Sequence, residues 1–232
     1  MEADGTLVAG TAAGILFGLE FLLIYEGLTL TSASRASLFL YTAPFFVVIG
    51  ARWFLPSERF DRWQWLGLLL SFAGLIVGFG VPMPGSDLRG PIGDFMLVLA
   101  GAAWAATTLV IKASRLARAS YEKILLYQLI VSAPMLAFGA RLLGERVTTP
   151  PSPMAIGSLL YQTLWVVGFT YLAWFALVLR YSASRLSVFT FLTPLFGVAG
   201  GHIVLSDPIS PAFALAVVLV VAGLVLVNRA PQ

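Results

Sequence analysis

Residues 31–46 read TSASRASLFLYTAPFF, and residues 181–196 read YSASRLSVFTFLTPLF. At a constant offset of 150, Ser32, Ala33, Ser34, Arg35, Ser37, Phe39, Pro44 and Phe46 meet Ser182, Ala183, Ser184, Arg185, Ser187, Phe189, Pro194 and Phe196. That is eight identities in 16 positions, without a gap. Chance is a poor explanation, and the chain reads as an internal duplication. Each copy closes one long apolar run and opens another, so each marks a tight corner between two hydrophobic helices. Serine suits such a corner, because its hydroxyl accepts a bond from an unpaired N–H at a helix start. The proline about two turns into each following run removes a backbone hydrogen bond and predicts a bend there.

The apolar runs around these corners decide the class. Of 232 residues 59% are hydrophobic and 11% charged, with a mean hydropathy of +0.92, whereas a soluble domain carries roughly a quarter charged residues. The expected fold is an all-α membrane protein. Eight spans are read at 7–30, 36–54, 64–81, 92–111, 124–143, 155–179, 186–205 and 211–228, most near the ~20 residues that cross a hydrocarbon core. Glu2 and Asp4 before a long apolar stretch argue against a signal peptide. The Pro- and Gly-rich segment 82–91 divides a partial three-helix repeat, residues 5–81, from a complete five-helix repeat, residues 90–228.

Ten of the 14 basic residues fall on one side of this arrangement and four (Arg35, Arg89, Arg141, Arg146) on the other. The positive-inside rule puts the richer side, and with it both termini, in the cytoplasm of a multi-pass protein of the plasma or inner membrane. One SASR corner then faces out and the other in. The repeats are expected to be inverted, the arrangement of alternating-access carriers. The net charge of +3 belongs to those loops, and no nucleic-acid partner is expected. With no Cys and a single His, neither a metal site nor any cofactor is expected, and no catalytic constellation emerges.

The order of elements now carries a resemblance. An apolar helix, a SAS corner, a proline-bearing helix, an acidic turn (Glu58 in LPSERFD) and a helix reading WLGLLLSFAGLIV resemble the EamA-type repeat of the drug/metabolite transporter superfamily. The second copy follows with YSASRLSVFTFLTPLF, Asp207 in the turn one residue out of register, and FALAVVLVVAGLVLV. GDFMLVLAGAAWAATTLVIK resembles the opening helix of such a repeat. The resemblance implies ten helices in two inverted repeats of five, so two further helices are expected before residue 7. It also implies a secondary transporter that moves a small metabolite by alternating access, and not an enzyme. It does not fix the substrate, for which an amino-acid-like or similar solute is expected. The alternative is a membrane assembly or sensor protein that transports nothing.

Candidate site residues follow from polarity inside the spans. Glu20 lies fourteen residues into the first span with no Lys or Arg within a helical turn. An isolated carboxylate there is costly, so it should face an internal cavity and could carry a coupling proton or bind an amine. Tyr25, Trp104, Tyr171 and Trp174 are the aromatic candidates for that cavity. Ser32, Ser34, Arg35 and Pro44, with Ser182, Ser184, Arg185 and Pro194, form the corners and kinks, the two arginines being expected to reach toward headgroups. Gly10, Gly14 and Gly18 form a small-residue stripe that either packs another helix of the chain or pairs two copies into a homodimer. Membrane lipids and a small solute complete the expected partners.

Overall fold

Every apolar run of the sequence is helical. The computed structural model describes residues 5–80, 89–145, 150–205 and 211–229, and among these no strand occurs. Helix α1 spans Leu7–Leu30, α2 Ala33–Leu40, α3 Ala43–Phe54, α4 Arg62–Phe79, α5 Arg89–Ala113 and α6 Tyr121–Leu142. The sixth run forms α7 (Pro153–Tyr161), a π-helical stretch (Gln162–Tyr171) and α8 (Leu172–Arg180). Helices α9 (Ala183–Phe189), α10 (Leu192–Leu205) and α11 (Pro211–Val227) complete the chain. Five uninterrupted or nearly uninterrupted runs, Leu7–Leu30, Arg35–Phe54, Arg89–Ala113, Tyr121–Leu142 and Pro153–Arg180, are long and apolar enough to cross a membrane. Arg62–Gly78 and Pro211–Val227 are shorter apolar helices. The segment expected to divide the repeats lies mostly outside the described residues, and its last residues, 89–91, already belong to the first turn of α5. Asp207 and the side chain of Ser34 also lie outside them.

The two serine corners are capped alike. The hydroxyl of Ser32 accepts from the Arg35 N–H at 3.4 Å, and that of Ser182 accepts from the Arg185 N–H at 3.3 Å. The prolines act one turn earlier than their own positions. Pro44 and Pro194 cannot donate to the carbonyls of Leu40 and Thr190, four residues back, and each helix stops there. Tighter i→i−3 bonds bridge both gaps, Thr42 N–H to Phe39 O and Phe45 N–H to Thr42 O in one copy. Phe191 N–H to Val188 O and Thr193 N–H to Thr190 O close the other. The expected bend is therefore a break, and each proline sits in the first turn of a new helix.

Packing rests on close approach of glycine faces. The Gly10–Gly14–Gly18 stripe of α1 lies against Tyr127, Val131 and Met135 of α6, and a Cβ at Gly14 would come within 2.6 Å of Val131 and 2.9 Å of the Tyr127 carbonyl. The stripe is thus occupied within the chain. Helix α4 lies along α11, with Gly67 and Gly223 so close that a Cβ on either would sit about 2.5 Å from the other's carbonyl oxygen. Their shared core of Leu68, Leu75, Val220 and Val227 receives Phe191 and Val188 from the second corner. Asp61 caps α4 reciprocally with Gln64, whose amide also donates to the Val227 carbonyl at 3.0 Å. Helix α1 is covered by both α5 and α6. Its counterpart at the 150-residue offset is not: α7 and the first turns of the π stretch are exposed on all sides.

Candidate functional site

Near mid-length of the helices a cavity of about 530 Å³ opens between α1, α5, α6, the Tyr171 end of the π stretch, α8 and the α9–α10 break. Phe17 and Glu20 reach it from α1, Trp104, Thr107 and Thr108 from α5, and Gln128 from α6. Thr170, Tyr171, Trp174 and Phe175 form the wall opposite, and Thr190 and Thr193 flank the broken helix. Glu20 and Thr170, 150 residues apart in the sequence, both line this one space.

Polarity in the cavity is sparse and unfinished. Glu20 is 6% exposed, and its Oε2 has no hydrogen-bond partner. Gln128 is fully buried, with both its amide oxygen and its amide nitrogen unpaired. An unsatisfied buried polar atom costs about 1–3 kcal/mol, and all three belong to residues that line this one cavity. No Lys, Arg or His is among the residues that line it. Thr107 and Thr108 donate to the carbonyls of Ala103 and Trp104 at 3.0 and 3.1 Å, which leaves their oxygens as acceptors.

Aromatic rings shape the remainder. Trp104 of α5 and Trp174 of α8 meet with centroids 5.4 Å apart and planes at 35°. Tyr171 lies edge-on to Phe17 at 5.8 Å and near Phe175 at 6.5 Å. Such rings offer an apolar bed and a negative face to a cation. Of the candidates read in the sequence, Glu20, Trp104, Tyr171 and Trp174 come together here. Tyr25 is not among the residues that line the cavity: it is 55% exposed, with its ring tilted against Phe21 at 5.9 Å. Gln128 and the four threonines of α5 and the α9–α10 break were not singled out by sequence. A lone Gln or Thr inside an apolar helix has too many ordinary uses to stand out.

The corners hold a second set of polar contacts, at opposite ends of the helices. Arg35 does not reach for headgroups. Its Nε donates to Asp94 Oδ1 at 3.1 Å, its terminal nitrogen forms an ion pair with Asp94 Oδ2, and Thr31 donates to the same carboxylate at 2.8 Å. At the other corner the Glu58 carboxylate accepts from the Ser182 hydroxyl at 2.8 Å and the Ser184 N–H at 3.0 Å. Lys112 completes it at 3.5 Å and donates to the Tyr181 carbonyl at 2.8 Å. Each corner is therefore tied by an acid from the other half of the chain. Sequence alone showed neither pairing, because the partners lie 59 and 124 residues apart.

Comparison with known proteins places this geometry. The profile of the EamA-like transporter family matches residues 4–79 and 91–229. The uncharacterized transporter YoaV of Bacillus subtilis is 23% identical over 211 residues, 90% of this chain and 72% of its own. A probable amino-acid metabolite efflux pump of Salmonella typhimurium is 28% identical over 232 residues, 94% of this chain and 75% of its own. A solved crystal structure superimposes with a TM-score of 0.80 at 22% identity, covering 95% of this chain and 75% of that one. The same helical fold is present in both.

Proposed function

This chain belongs to the EamA-like transporter family, a family of multi-pass membrane transporters, and from that membership we propose that it carries a small amino-acid-like metabolite by alternating access. The observation that carries the reading is the cavity between the two halves, with a buried and unpartnered Glu20 in its wall. The name of the Salmonella relative, 28% identical, supports an amino-acid-like solute. The chemistry of the cavity supports a zwitterion in particular. An amine fits beside Glu20 and the Trp104–Trp174 pair. With no basic side chain lining the space, a carboxylate finds positive potential at the first turn of α10, opened to the cavity by the break at Thr190–Thr193. Glu20 also serves as the proton carrier, since a carboxyl without a counter-charge exchanges a proton as its access to water changes. The protein works in the plasma or inner membrane with both termini in the cytoplasm, the side favoured by ten of its 14 basic residues.

Reconstitution into proteoliposomes tests this. A labelled amino acid should be taken up in response to an imposed proton gradient. Glu20→Gln keeps shape and hydrogen bonding but cannot titrate, so its uptake should lose the response to the gradient. If the variant keeps the parental pH dependence, Glu20 is structural. If the parent moves no solute, the alternative of a non-transporting assembly or sensor protein stands.

A further inference from the structure

Arg35 and Arg185 hold the same place in the two copies, yet only the first has an acid beside it. Arg35 is neutralised by Asp94. The carboxylate at the second corner, Glu58, is committed to Ser182, Ser184 and Lys112. The guanidinium of Arg185 makes no ion pair or side-chain hydrogen bond among the described residues. It lines a separate groove of about 460 Å³ where α8 and α11 end and α9 begins. The groove is graded along the helices. Tyr181, Arg185 and Asn228 line it near the helix ends, whereas Leu177 and Phe189 lie one turn deeper and Leu186 completes the apolar side. Leu177 and Phe189 are both about two-fifths exposed. A second guanidinium, that of Arg180, stands 6.0 Å over the Tyr181 ring.

We propose that this groove is a binding site for an anionic phospholipid, with the phosphodiester on Arg185 and the first methylenes of an acyl chain against Leu177, Leu186 and Phe189. A planar guanidinium pairs bidentately with phosphate. Basic pockets between transmembrane helices recognise anionic headgroups. The volume falls in the ~300–1,000 Å³ range of small-ligand pockets, more than a bare phosphate fills, and its deeper side is apolar, which suits an amphiphile. A zwitterionic lipid would bring its own ammonium toward Arg185 and Arg180 and is disfavoured by that repulsion.

Native mass spectrometry of the full chain, released from mixed micelles of phosphatidylglycerol and phosphatidylcholine, tests the assignment. The parent should retain phosphatidylglycerol in preference. Arg185→Gln should lower that preference about tenfold, the loss of one charge-assisted contact. Asn228→Asp puts a negative charge into the same end of the groove and should lower it too, so the test does not depend on the folding of the Arg185 variant. Excess glycerol phosphate should leave the lipid bound. Equal retention of the two lipids by the parent would overturn the proposal, as would an unchanged preference in both variants. Displacement by glycerol phosphate would assign the groove to a soluble phosphate ester and also overturn it.

Discussion

Gln128 is a costly side chain that the sequence does not single out. Both ends of its amide are buried without a partner in the wall of the cavity. Replacing an unsatisfied polar group with an apolar one of similar size is neutral or stabilising, by up to about 1–3 kcal/mol. Gln128→Leu should therefore leave the thermal midpoint in detergent unchanged or raised, while solute uptake falls severalfold. A lowered midpoint with intact uptake would give Gln128 a structural role instead. The contrast with Glu20 explains what sequence could reveal. A carboxylate in a 24-residue apolar helix is anomalous in lipid wherever its partners lie. A glutamine in YEKILLYQLIV is unremarkable until the fold shows that nothing bonds to it.

Among the elements, the helices were legible and their interruptions only partly so. Apolar runs of about 20 residues can do little else in a bilayer than form helices, and the repeated prolines announced two irregularities at equal places. Where the backbone would part was set by the carbonyl four residues before each proline, so breaks appear at Leu40 and Thr190. The π winding of Gln162–Tyr171 had no such herald. Its residues QTLWVVGFTY include one glycine and no proline, and nothing in their composition separates π from α. The glycine stripe of α1 was legible as a close-packing face, and the structure supplies its partner in α6. Gly14→Ala should push the two helices apart, since the new methyl meets both Val131 and the Tyr127 carbonyl. A loss of roughly 1–3 kcal/mol is expected from such overpacking, read as a lower unfolding midpoint. An unchanged midpoint would mean that α6 slides without cost.

At the scale of the whole molecule, the ties at the two corners are charged or hydrogen-bonded links between the halves, which the proposed alternating access requires to part in turn. Asp94 holds one end and Glu58 the other. Breaking each should bias the carrier in opposite senses. Because the chain has no cysteine, Thr107→Cys gives a single reporter inside the cavity for a membrane-impermeant maleimide. Asp94→Asn should raise labelling severalfold from the Arg35 side, and Glu58→Gln from the Lys112 side. If both variants label like their parent, the ties are static braces. Another feature reaches beyond the protein. The run Pro153–Arg180 has 28 residues, roughly 40 Å at a helical rise, against a hydrocarbon core of about 30 Å. The residues of its first half are exposed, while Thr170, Tyr171 and Trp174 near its other half wall the cavity. A helix longer than the bilayer tilts, and its tilt follows the thickness of the lipid. A cavity wall that tilts with the bilayer would make acyl-chain length a variable of the space offered to a solute.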